Sequence, residues 1–128
     1  MDITVTRVLD GKALLYTLSG PFDPQHMLQT AQTRYRNPEH NDIAAYLWDV
    51  RNLNLPESYE LRESTQNVAA TRSAREDNRP AVIIVDRIGS AQYGMARMWQ
   101  NTFDFPMEIV DSLEQALETA QALVDDSR

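Results

Sequence analysis

Cysteine is absent from the 128 residues, which excludes a disulfide framework, a thiolate nucleophile and any Cys-ligated zinc or iron–sulfur site. Glycine is scarce, with four in all, and these form neither a Gly-rich phosphate loop nor a Gly-x-Ser-x-Gly nucleophile elbow. The two histidines, His26 and His40, stand at no metal-ligand spacing. No apolar run approaches the ~20 residues of a membrane-spanning helix. Met1–Thr6 has neither a basic lead nor a sustained apolar core, so no signal peptide and no membrane span are expected, and a cytoplasmic setting is the simplest. Cationic charge is also short. Lys12 is the only lysine and the formal net charge is −7, which repels a phosphate backbone and disfavours nucleic acid and anionic membranes as partners.

The charge that is present is segregated. Arg72, Arg75, Arg79, Arg87 and Arg97 crowd one region, while Asp104, Glu108, Asp111, Glu114, Glu118, Asp125 and Asp126 follow with no Lys or Arg between them. This acidic run gives the last helix a solvated outer face or an electrostatic docking surface.

Two apolar runs organise the rest. Ala81–Asp86 is five apolar residues ending in an acid, between Pro80 and Gly89, as suits a strand buried on both faces. Ile43–Val50 has the same character, with Asp49 near its end. Before them, Ile3–Leu9 and Ala13–Ser19 flank Asp10-Gly11-Lys12, a hairpin signal, because glycine tolerates the positive φ of such a turn. The first strand, with Thr4, Thr6 and Arg7, reads as an edge. Gly20–Pro24 breaks the second strand, and Asp23 before Pro24 starts a helix running to about Arg36 with an apolar stripe of Met27, Leu28, Ala31 and Tyr35.

A loop over Asn52–Pro56 leads to a second helix from Pro56–Ser58 to about Arg75. Its stripe is thin: Tyr59, Leu61, Val68 and Ala69, with Ser64, Thr65 and Thr71 between them. Ser90 caps a third helix, from Ala91 to about Thr102, on which Met95, Ala96, Trp99 and Phe103 share a face. Met107–Val110 is a further strand. Ser112 and Gln115 form a capping box for the last helix, whose stripe is Leu113, Ala116, Leu117, Ala120, Leu123 and Val124. The order predicts one α/β domain over residues 1–128: a mixed, mostly parallel five-stranded sheet with an antiparallel N-terminal strand and four helices.

This pattern resembles the STAS superfamily, and within it the stand-alone SpoIIAA-like proteins of bacteria. The residues that carry the likeness are Gly20 ending the second strand, Leu47-Trp48-Asp49-Val50-Arg51 closing the third, and Arg79-Pro80-Ala81-Val82-Ile83-Ile84-Val85 forming the fourth. Tyr93-Gly94-Met95-Ala96-Arg97-Met98-Trp99 and Val110-Asp111-Ser112-Leu113-Glu114-Gln115-Ala116-Leu117 complete it. The resemblance implies regulation through a protein partner, a homodimer, no cofactor and no chemistry of the chain's own. In anti-sigma-factor antagonists the switch is phosphorylation of a serine, within an Asp-Ser-Ser-Gly-like motif, at the start of the helix after the third strand. Here that region reads Leu55-Pro56-Glu57-Ser58-Tyr59-Glu60, without the motif, and Ser58 is the positional equivalent.

Three groups of residues remain as site candidates. Asp49 and Asp86, each close to an arginine (Arg51, Arg87), end adjacent strands where open α/β sheets bind ligands. They read either as a carboxylate pair facing a crevice or as loop caps paired with their arginines. Tyr93, Met98 and Trp99 form a candidate interaction surface on an unusually aromatic, Met-rich third helix. The same content, beside the thin second helix, supports an apolar-ligand or lipid-binding module as the alternative to a protein-interaction module. No catalytic residue and no metal ligand is assigned.

Overall fold

The order of strands in the sheet is the order of strands in the chain. In the computed structural model, β1 (Asp2–Val8) pairs antiparallel with β2 (Ala13–Pro21), and β3 (Ala45–Asn54), β4 (Ala81–Ile84) and β5 (Met107–Val110) follow in parallel. The structure describes residues 1–71 and 76–126, with the side chains of residues 31, 34–36 and 58 outside that description. The described helices are α1 (Pro24–Arg36), α2 (Ser58–Ala69), α3 (Ala91–Thr102) and α4 (Leu113–Asp126), with a 3-10 turn at Pro38–His40. This is the mixed five-stranded α/β architecture expected from the sequence.

Successive parallel strands laid side by side, joined by crossovers of one hand, place every crossover helix on the same face. The core divides accordingly. On one face Tyr46, Trp48, Val50, Ala81, Ile83 and Val85 pack with Leu61 of α2 and Met95, Ala96 and Trp99 of α3, and Met27 of α1 joins from the side. On the other face Leu47, Val82, Ile84 and Val110 meet Ala116 and Ala120 of α4. The alternation of β4 between the two clusters explains its uninterrupted apolar sequence: every residue from Ala81 to Ile84 is buried.

The strand boundaries shift where backbone pairing overrides composition. The third strand begins at Ala45 rather than Ile43 and continues through Asn54. A register slip between Thr17 and Ser19 lets β3 go on pairing with β2 as far as Pro21 opposite Asn54, so Leu53 of the expected loop is buried. Gly20, at φ +80°, carries β2 through the expected break. The hairpin turn takes Leu9, Asp10 and Gly11 all into positive φ, and Gly11 and Lys12 donate backbone bonds to Val8 and Leu9. The last turns expected for the second helix, to Arg75, fall partly outside the described residues, as do Arg72 and Arg75 themselves.

A buried ionic knot fixes the amino end of β4. Asp77 accepts from the Tyr46 hydroxyl at 2.9 Å and from Nε and Nη2 of Arg79 at 2.8 and 2.9 Å. Arg79 Nη1 donates to the carbonyls of His40 and Ile43, and the guanidinium lies 4.8 Å from the centre of the Tyr46 ring. Burial works against the charge on Arg79, but hydrogen bonding and attraction to Asp77 outweigh it and raise the guanidinium pKa. One side chain thus joins the segment before β4, the 3-10 turn and β3. Asp77→Ala would remove the acceptor of the Tyr46 hydroxyl and of half of the arginine fork. It should cost about 3 kcal/mol, the low end for breaking a buried pair, because the carbonyl partners of Arg79 remain. Urea denaturation checks this, and an unchanged midpoint would show that the knot is dispensable.

Candidate functional site

Strands β2 to β5 run in parallel, so their carboxyl ends and the N-termini of the helices that follow share one end of the sheet. Ligands bind there in open α/β sheets. Each candidate acid near this end is bonded by its own immediate neighbours in the chain. Asp49 lies two residues after Leu47 on β3, hence on the face that α4 covers, and is 6% exposed. Arg51 closes on it as a fork, Nε to Oδ1 at 2.9 Å and Nη2 to Oδ2 at 2.8 Å, and the Arg51 backbone N–H adds a third bond to Oδ1. The hydrogen bonds to Asp49 raise the pKa of Arg51. A carboxylate with three donors from one neighbour is a structural group rather than a free base.

Asp86 is exposed. It accepts from the backbone N–H of Arg87 at 2.9 Å, and the nearby Ser90 hydroxyl is the leading influence that holds its carboxyl below the ordinary aspartate value. Ser90 Oγ also accepts from the Tyr93 backbone N–H at 3.1 Å as the N-cap of α3. Asp86 therefore orders the turn into α3. Asp49 is thus paired with Arg51 within β3, and Asp86 with the backbone of its own turn. Arg87 is exposed in the same turn. Gln92 Nε2 donates to the Leu53 carbonyl at 3.0 Å and ties the start of α3 to the end of β3. Among the described residues no group of three or more His, Asp or Glu is placed to hold a metal ion.

The expected surface on α3 is also redistributed. Trp99 is 6% exposed and its Nε1 donates to Thr65 Oγ1 at 3.2 Å, so it belongs to the core and not to an interaction surface. Tyr93 and Met98 are half-buried and pack against the same core. The exposed apolar side chains lie elsewhere: Tyr59 at 74% in the first turn of α2 and Ile88 at 59% in the β4–α3 turn, both at the carboxyl end, with Val5 on the β1 edge. Tyr59 is assigned to the buried stripe by composition, yet it sits two residues from Leu61 on a helix, which turns it away from the sheet. Ile88 had a legible signal, an isoleucine in an otherwise polar turn. The backbone of Ser58 opens α2, while its side chain lies outside the described residues.

Beneath α2 lies a partly open apolar cavity. Trp48, Ala81 and Ile83 of the sheet line it, with Ser64, Thr65 and Val68 of α2, Trp99 and Phe103 of α3, and Met27 of α1.

With this geometry in place, comparison with solved structures identifies the architecture. A protein with a SpoIIAA-like fold from Shewanella loihica PV-4 superposes with a TM-score of 0.62 at 16% identity over 92% of this chain and 91% of its own. The fold is SpoIIAA-like. The anti-sigma factor antagonist SpoIIAA in its unphosphorylated form matches at TM-score 0.59 and 13% identity, covering 94% of this chain and 98% of SpoIIAA. An anti-sigma factor antagonist from Mycobacterium paratuberculosis matches at 0.56 and 15%, covering 92% and 93%. No family model and no curated protein matches the sequence. At these identities the likeness establishes the SpoIIAA-like fold, and what the site does must come from its own residues.

The Asp86 arrangement gives a pH prediction. Its folded-state pKa is depressed, so whatever it contributes to order in the α3 turn is present above the unfolded aspartate pKa and is lost as pH falls through the folded value. Side-chain carboxyl NMR should place its midpoint below that of an ordinary aspartate, and Ser90→Ala should move it upward. A midpoint indifferent to Ser90→Ala would remove Ser90 as the cause.

Proposed function

We propose that this SpoIIAA-like chain is a non-enzymatic regulatory module that docks a protein partner on the carboxyl end of its sheet. The observation that carries the reading is the placement of Tyr59 and Ile88, two large apolar side chains left in solvent at that end. Charge supplies the chemistry of the partner. Asp23, Glu57, Glu60, Asp86 and Asp111 stand in the loops and first helical turns there, while Arg51 is committed to Asp49 and, among the described residues of these loops and first turns, Arg87 is the other arginine. A complementary surface offers apolar contacts inside a basic rim. The two solved antagonists with the same fold add the regulatory context. Asp49 is held by Arg51 and Asp86 accepts within its own turn, which supports a role without chemistry of its own.

Native pulldown with tagged protein tests the reading. A protein should be recovered in stoichiometric amount, released by high salt, and reduced at least tenfold when Tyr59→Ala and Ile88→Ala are combined. Recovery of no stoichiometric protein, or equal retention by the double variant, would overturn it.

In this reading docking is not switched by phosphate on Ser58. A phosphate at the N-terminus of α2 would meet the exposed Glu57 and Glu60 beside it, and like charge opposes the addition. Intact mass after incubation with cell extract and ATP should show Ser58 unmodified, and a stoichiometric phosphate there would contradict this part of the proposal.

A further inference from the structure

The cavity under α2 has a composition that ordinary packing does not require. Its polar lining residues are Ser64 and Thr65, and their hydroxyls are already committed: Ser64 Oγ donates to the Glu60 carbonyl at 2.8 Å and Thr65 Oγ1 to the Leu61 carbonyl at 2.7 Å. The Trp99 indole N–H is spent on Thr65 Oγ1. Among the described residues no charged side chain lines the space. A water molecule needs two to four polar partners to be held in such a place, and these walls have little left to give, so the cavity favours an apolar occupant. A charged ligand would shed its hydration without compensation.

The origin of the space is local. α2 turns Leu61, Thr65 and Val68 toward the sheet, and where a core helix would insert a large aliphatic side chain it presents Ser64 and Thr65 over the small floor residue Ala81. The remaining wall is bulky and flat. Trp48 is held by stacking on Tyr16 at 4.3 Å, and Phe103 and Phe105 lie 5.2 Å apart at 26°. The aromatic walls are therefore braced by neighbours and do not simply collapse into the gap.

We propose that this cavity is a binding site for a compact, uncharged apolar molecule. Its size follows from the space, a cavity of about 60 Å³. At about 10–15 Å³ for each water-sized sphere, this corresponds to a body of roughly four to six non-hydrogen atoms, at most a single aromatic ring. That is too small for the side-chain row of a docked helix. The partly open mouth lets one substituent reach solvent. Filling the void restores dispersion contacts that the lining atoms lack, without breaking any of the hydrogen bonds described. Neither Tyr59 nor Ile88 lines the cavity, so this site is separate from the proposed docking end.

Both tryptophans of the chain line the cavity, which supplies an intrinsic reporter. Titration of the full chain with bromobenzene, whose heavy atom quenches indole emission on contact, should give saturable quenching. Val68→Phe fills the mouth from α2 and should weaken that binding at least tenfold, while the combined Tyr59→Ala and Ile88→Ala variant should bind as the unaltered chain does. Quenching that rises linearly without saturation in the unaltered chain overturns the proposal whether or not the Val68→Phe variant folds. Equal affinity in a Val68→Phe variant that still melts cooperatively overturns the location. Saturable binding of dodecanoic acid without binding of bromobenzene overturns the assignment of size and charge.

Discussion

Sequential strand order is the constraint from which the rest of this molecule follows. When β2, β3, β4 and β5 lie side by side in chain order, the handedness of parallel crossovers leaves α1, α2 and α3 no choice of face. Three helices crowd one side and the other is left to whatever follows β5. The two faces then need different side chains. The crowded face is filled by Tyr16, Tyr46, Trp48, Met95 and Trp99, whereas α4 approaches the opposite face through Ala116 and Ala120, both fully buried. Small residues let one helix lie close over three strands, and its acids Glu114, Glu118, Asp125 and Asp126 stay exposed on the outer side.

The same constraint shapes the strand ends. A crevice in an open α/β sheet forms where neighbouring crossovers depart to opposite faces, and here the three crossover helices leave on the same side. No such divergence opens at β3 and β4. Gln92 reaches from α3 to the Leu53 carbonyl, Asp49 is clamped by Arg51 and Asp86 organises its own turn. What this end offers instead is a surface of loops and first helical turns.

Much of this was legible in the sequence, and the exceptions are instructive. Apolar period and turn chemistry located every strand and helix core, because Ala81–Ile84 and the stripe of α4 can be buried in only one way. Boundaries failed where pairing rather than composition decides. Asn52–Asn54 has loop composition, but the register slip opposite Thr17 and Ser19 keeps it in the sheet. The site residues were harder. Asp49 and Arg51 two apart on a strand are on one face, so their pairing was readable, whereas the bonding of Asp86 depended on the detailed turn after β4. Trp99 was correctly seen on the apolar stripe of its helix, and the surface role also assigned to it conflicted with that stripe. The structure resolves the conflict in favour of burial.

The least resolved element in sequence, the thin stripe of α2, turns out to be the most informative in structure. A helix with Leu61 and Thr65 as its buried described residues has a weak hold on the sheet, since a Thr in place of a Leu or Ile removes apolar contact and adds a hydroxyl that must be satisfied. Both demands are met locally: Thr65 bonds back to its own helix and receives the Trp99 N–H, so the polar group is neutralised and the volume is left empty. Substituting Leu at 65 would fill the space but orphan the indole N–H of Trp99. The hydroxyl and the cavity are therefore coupled. The same pair of side chains that secures α2 to α3 prevents the gap beneath it from being packed shut.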